Sequence, residues 1–276
     1  MKFKDRYIKN NMMINGMIVL VLILFFSGYF GSIRFGFMDS GDLPSDLLEV
    51  SHSYYLSKFH IWFESFDYFG LVLLLIIPLI ISTLYANSYF NRSDIYNVYR
   101  IGLNKYLSRK YFKAIIIGLT MPLMSLGIYW IILKILPTTN KIFVYGTLNE
   151  FENIISPVII INTTVRALAI RTPKLYILLS TAIMTLGGAS YAAFSMALGS
   201  FIRQKYARLI APFLILLIVD AFISTFVFSL PDSLLLGIFN PYFSLPLSWL
   251  IIPSFVLLII STLLIIIHYK QRIYNG

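Results

Sequence analysis

R-S-D-I-Y-N-V-Y-R-I-G-L-N-K-Y-L-S-R-K-Y-F-K, residues 92–113, sits between two long apolar runs. It carries six of the chain's 22 lysines and arginines against one acid, Asp94. Ser93 and Asp94 suit a helix N-cap, because their side-chain oxygens can accept the first free backbone N–H groups. Ile95, Val98 and Tyr99 follow at helical spacing. Gly102 can adopt the left-handed backbone that ends a helix. Asn104 can then cap a second helix that runs into the next apolar run. The spacing predicts a short helix across the inner mouth of a membrane bundle, its basic side chains toward lipid headgroups or a partner. An ordinary basic cytoplasmic loop has the same composition.

The surrounding composition puts this stretch in a membrane protein. The 276 residues are 58% hydrophobic and 12% charged, with a mean hydropathy of +0.81. A soluble domain carries about 25% charged residues. The net charge of +10 would suit nucleic acid in a soluble chain. In a membrane chain it reflects basic residues at the cytoplasmic face, and no nucleic-acid partner is expected. There is no cysteine, so disulfides and thiolate metal sites are excluded. No long charged or Pro/Gly-rich linker interrupts the chain, so a single all-α membrane domain over 1–276 is expected.

A span needs about 20 apolar residues. Six runs qualify: 13–33, 68–91, 114–136, 175–202, 209–230 and 250–268. Ahead of the first, Phe3, Tyr7 and Ile8 share one helical face, with Lys2, Lys4, Arg6 and Lys9 around them. That pattern suits an amphipathic helix in the inner interface. The run at 17–33 is long for a signal peptide, and Ser27-Gly28 and Gly31-Ser32 make a weak cleavage site, so it reads as the first span. With both termini cytoplasmic, the inner segments hold 15 basic residues and two acids, Asp5 and Asp94, whereas the outer segments hold seven basic residues and nine acids. The positive-inside rule therefore favours six spans with both ends in the cytoplasm.

The first outer loop, 34–67, is acidic. Asp46 with Glu49 forms a capping box. Leu47, Leu48, Tyr55, Phe59, Trp62 and Phe63 then make one apolar face, which predicts an amphipathic helix at the outer interface with its aromatics at headgroup level. An acidic vestibule for a cationic substrate and a plain solvated loop are both compatible with it. His60 and Glu64, one turn apart, supply two metal ligands where zinc needs three or four, so no metal site is expected. The second outer loop, 137–174, contains an Ile/Val-rich segment at 153–165 that is too short to span. It suits a small strand or an interfacial segment.

Three features fall inside the spans. Ala189, Ala193 and Ala197 recur every fourth residue, with Gly188 and Ala192 beside them. Small residues at that spacing let helix backbones approach closely in lipid. Ser27 with Gly31, and Gly28 with Ser32, repeat the pattern in the first span. Asp220 is the one acid within the hydrocarbon and should face other helices or water, as a proton carrier or in a structural hydrogen bond. The uncharged stretch 233–269 would be about 55 Å long as one helix, too long for a hydrocarbon layer about 30 Å thick. Pro241, Pro246 and Pro253 are expected to break it into a re-entrant outer segment, 234–249, and a final span.

This layout resembles the membrane subunits of bacterial type-2 ABC (ATP-binding-cassette) exporters over almost the whole chain. The local likeness lies in Y-R-I-G-L-N-K-Y-L-S-R-K, 99–110, in A-L-G-S-F-I-R-Q-K-Y-A-R-L-I-A-P, 197–212, and in Asn240-Pro241. The two outer loops are larger than in the simplest members. The resemblance implies a permease in the bacterial plasma membrane, paired with a second permease subunit as a homo- or heterodimer. Two copies of an ATPase subunit, which hold ATP and Mg2+, would dock beneath. It implies a coupling helix formed by Asp94, Ile95, Tyr96, Asn97, Val98, Tyr99, Arg100 and Gly102, with Arg203 and Lys205 on the second inner loop. Asn240 and Pro241 would belong to the re-entrant segment. The cargo would be a peptide, lipid or drug-like molecule moved outward, as in antimicrobial-peptide resistance. This chain has no G-x-x-x-x-G-K-[ST] loop, so ATP hydrolysis belongs to the companion and no enzyme activity or cofactor is expected here. Two other readings remain: a proton-coupled transporter using Asp220, and a membrane sensor or immunity protein whose outer loops bind a peptide.

Overall fold

The computed structural model describes residues 2–38, 57–90, 99–138, 172–202, 204–223, 225 and 247–274. All the regular elements among them are helices. Helix α1 (Lys2–Leu24) passes into a π-helix (Phe25–Phe30) and then α2 (Gly31–Met38). Helix α3 (Lys58–Glu64) is separated by Ser65 alone from α4 (Phe66–Phe90). The remaining helices are α5 (Leu103–Ile135), α6 (Pro173–Phe201), α7 (Lys205–Phe222) and α8 (Leu247–Tyr274). Four stretches are long and apolar enough to cross a membrane: Asn11–Arg34, Lys105–Ile135, Lys174–Phe201 and Ile251–His268. The described apolar part of α4, Tyr68–Ser82, is shorter.

Helix α6 is the centre of the bundle. It packs along α5 and α8, and more briefly along α4 and α7, while α1 packs on α4 and α5. The small residues explain the position. Gly188, Ala189, Ala192, Ala193 and Ala197 are all buried, as the four-residue spacing predicts. The peripheral helices show the opposite pattern. On α8, Ile252, Phe255, Val256, Ile259, Leu263 and Ile267 are exposed. Apolar surface on that scale is stable in hydrocarbon and aggregates in water.

Prolines are placed by packing. Pro78, Pro122, Pro212 and Pro253 all lie inside helices, and all four are buried. Pro253 therefore does not break the last helix, contrary to the sequence reading. Helix α8 is described from Leu247 and runs through Pro253. A proline that faces a neighbouring helix leaves its freed carbonyl covered by protein, which makes it tolerable within a span.

Helix α5 also differs from expectation. It begins at Leu103, about 11 residues before the apolar run and two residues before an Asn104 cap would place it, with Gly102 as N-cap. The basic turns join the helix because Tyr106 is buried while Lys105, Arg109 and Lys113 share an exposed face. Long cationic side chains can run along an apolar helix and keep their charge in water. At the N-terminus, residues 2–24 form one uninterrupted helix, with no boundary between an interface helix and the span.

Candidate functional site

The N-terminal end of α5 and the C-terminal end of α6 carry exposed polar groups on which a partner could act. Residues 99–101 are helical. The Tyr99 side chain is 88% exposed, and Arg100 beside it is exposed too. Gly102 joins this segment to α5 with φ 78° and ψ 148°. The positive φ agrees with the sequence reading, but the extended ψ is not the left-handed helical cap. It turns the chain sharply before α5 starts. Tyr106 N–H donates to the Gly102 carbonyl at 3.1 Å and closes the first turn. One turn on, the Lys110 ammonium sits 4.5 Å from the Tyr106 ring centre, a cation–π contact that helps to hold the buried ring.

A second turn lies between α6 and α7. Arg208 Nε donates to the Ile202 carbonyl, satisfying a carbonyl at the end of α6 with a cation, which the helix dipole favours. Tyr206, in the first turn of α7, is 75% exposed. Each of the two turns thus presents one exposed tyrosine. Lys205 opens α7. Asp94, Ile95, Tyr96, Asn97, Val98, Arg203, Asn240 and Pro241 lie outside the described residues, as do the acidic part of the first outer loop and the 153–165 segment.

Farther along α5, Tyr111 reaches α8. Its hydroxyl is 2.7 Å from Ser261 Oγ and 3.0 Å from Thr262 Oγ1. Ser261 and Thr262 each donate to the Leu258 carbonyl at 2.8 Å. Their oxygens are left as acceptors, so the Tyr111 hydroxyl donates to this cluster. No sequence signal pointed to it, because about 150 residues separate the partners.

Asp220 is 3% exposed. Pro212, Leu216 and Asp220 are the buried stripe of α7, spaced four apart, and α7 packs on α4 and α6. The carboxyl group therefore faces the bundle, as its cost in hydrocarbon requires. Tyr191 makes the other long buried contact of this region: its hydroxyl donates to the Leu74 carbonyl of α4 at 2.9 Å.

At the opposite end of the bundle the structure corrects the sequence reading of α3. Trp62 is not an interfacial aromatic; it is 1% exposed. Its ring stacks on Tyr129 of α5 at 6.0 Å and meets Trp130 and Phe66 edge-on at 5.4 Å. The π-helix receives it. Ser27 Oγ bonds both the Ile23 carbonyl (2.7 Å) and the Ser65 carbonyl (3.0 Å). A Cβ on Gly28 would strike the Tyr129 hydroxyl and lie 2.7 Å from the Ile61 carbonyl oxygen. Ser32 is buried, but Gly31 has no neighbour within 4 Å of an added Cβ. The Gly28/Ser32 pair packs as expected, whereas Gly31 of the Ser27/Gly31 pair does not.

Among the described residues no group of three or more His, Asp or Glu side chains could hold a metal ion. No protein-family model, no curated protein and no solved structure matches this chain.

Proposed function

We propose that the chain is the permease subunit of an ATP-driven exporter of the type-2 ABC class. In this reading six spans, with both termini cytoplasmic, form half of a permease dimer. Two ATPase subunits beneath supply ATP and Mg2+, and the cargo is a peptide, lipid or drug-like molecule moved outward. The observation that carries it is the pair of inner turns. Tyr99, 88% exposed, sits with Arg100 on a helical segment set off from α5 by the Gly102 turn. Tyr206, 75% exposed, marks the second turn. Large aromatic and arginine side chains are the residues that anchor protein interfaces. A lever of this kind is what a permease without its own nucleotide loop requires.

The test is co-purification of a tagged chain with an ATPase companion, followed by Tyr99→Asp and Arg100→Glu. Both variants should retain the folded permease and lose coupling between ATP hydrolysis and transport. Normal coupling in both, or tag-accessibility mapping that puts Asn97 outside the cell, overturns the reading. The burial of Asp220 favours one alternative, a proton-coupled transporter. It predicts that transport persists without any ATPase and is abolished by Asp220→Asn.

A further inference from the structure

Helices α5 and α8 both pack along α6, on separate faces, and among the described residues they do not pack along each other. A hydroxyl cluster joins them. The Tyr111 hydroxyl lies 2.7 Å from Ser261 Oγ, 3.0 Å from Thr262 Oγ1 and 3.5 Å from the Leu258 carbonyl oxygen. Tyr111 is eight residues into α5, about 12 Å along its axis from the Gly102 turn. Ser261 is fully buried. Tyr111 is half-buried and Thr262 exposed, so the Ser261 contact is the sheltered one of the cluster.

We propose that Tyr111 is a positioning residue that ties the inner end of α5 to α8, so that a displacement of the exposed 99–101 segment reaches the last helix through this hydroxyl cluster. The structural half of this claim, that the cluster holds α5 to α8, stands on the distances alone. Its role in transmitting a push rests on the permease reading above. The physical argument is one of connectivity. The backbones of α5 and α6 touch at Gly118 and Gly188, each carbonyl oxygen lying close to where a Cβ on the other would stand. Helix α8 packs along α6 as well, and the Tyr111 cluster adds a direct tie from α8 to α5. Tyr111 is placed on the inner side of that crossing, where the lever enters α5, and its three polar partners are all on a single turn of α8.

The absence of cysteine allows direct labelling. Spin labels at Lys105→Cys on α5 and Ile267→Cys on α8, both exposed positions, report the separation of the two inner ends in lipid nanodiscs. Tyr111→Phe removes the hydroxyl and keeps the ring; Ser261→Ala with Thr262→Val removes the partners. Each should give a longer and broader distance distribution, and the combination should add nothing further. Thr262→Ser, which keeps its hydroxyl, should match the parent. Unchanged distributions in both disrupting variants overturn the proposal. In the complex with its ATPase, a second label pair at Leu178 on α6 and Ile259 on α8 reads movement on adding ATP and vanadate. The parent should move and Tyr111→Phe should not, with hydrolysis retained. Equal movement in both overturns the transmitting role. A parent that does not move, with the first pair behaving as stated, leaves the tie in place and removes the permease reading instead.

Discussion

Gly118 of α5 and Gly188 of α6 meet backbone to backbone, each carbonyl oxygen lying where a Cβ on the other would stand. A Cβ on Gly118 would also overlap that of Ala192, and one on Gly188 would come within 2.9 Å of Pro122 Cγ. The obstacle on both sides is main chain, which cannot swing away as a side chain does. In lipid, packing rather than the hydrophobic effect holds helices together, so such a crossing contributes in proportion to its closeness.

Gly118→Ala and Gly188→Ala are therefore expected to destabilise the bundle by about 1–3 kcal/mol each, the usual cost of overpacking a close-fitting interior. Thermal unfolding in detergent measures it. Gly31→Ala is the control, since nothing lies within 4 Å of its added Cβ. The crossing matters little to stability if all three variants unfold at the parent's temperature.

A second close approach binds the outer end. Gly28 in the π-helix leaves room for the Tyr129 hydroxyl, and Ser65 Cβ stands 2.8 Å from the position of an added Cβ. Gly28→Ala should destabilise by about 1–3 kcal/mol. Tyr129→Phe removes the nearest of the three obstacles and should rescue part of that loss, because the Ile61 carbonyl and Ser65 remain in the way. Strict additivity of the two substitutions in a double-mutant cycle would show that they do not share this contact.

Legibility in the sequence followed the range of each interaction. Helix α6 was predicted over 175–202 and forms as Pro173–Phe201, because an uncharged run bounded by Lys174 and Arg203 leaves little freedom in where it ends. The small-residue face of the same helix was legible from spacing. Its partner was not. Gly118 and Pro122 share a four-residue spacing, yet nothing local says which glycine meets which helix. Trp62 was misplaced for a different reason: a short apolar face reads the same whether it meets lipid or protein, and only the π-helix and Tyr129 decide. The start of α5 was legible to within two residues from the Asn104 cap, and Lys105, Arg109 and Lys113 line one exposed side of it. The positive φ at Gly102 was legible from the sequence, while Tyr111 and Arg208 act through contacts that no periodicity encodes.

The bond from the Tyr191 hydroxyl to the Leu74 carbonyl ties α6 to α4 in the buried part of the bundle. Hydrogen bonds between membrane helices contribute about 0.6 to 2 kcal/mol. Tyr191→Phe should lower stability toward the top of that range, since Pro78, four residues on from Leu74, has no N–H to give to the Leu74 carbonyl in its own helix. Tyr191→Ala removes the buried ring as well and should cost about 3–5 kcal/mol. Unfolding in detergent separates the two. If phenylalanine proves as damaging as alanine, the hydroxyl contributes far more than a single bond between helices can.

Gly102 has φ 78° and ψ 148°, a combination that side-chain-bearing residues adopt at a cost of about 1–3 kcal/mol. No atom lies within 4 Å of a Cβ added there, so steric crowding is absent and the whole effect of a substitution is conformational. Gly102→Ala has two ways to respond. If the backbone keeps its angles, stability falls by the strain. If the angles relax to negative φ, the 99–101 segment is turned away from its place on α5 and the spans are unaffected. The surroundings favour the second response, because the open space around Gly102 offers nothing to hold the strained geometry. Thermal unfolding of Gly102→Ala should then match the parent, while trypsin should cleave after Arg100 at a changed rate. Gly127→Ala, equally open but within α5, should change neither. A Gly102 variant with parental cleavage and parental stability would mean that the turn imposes no direction on the segment it carries.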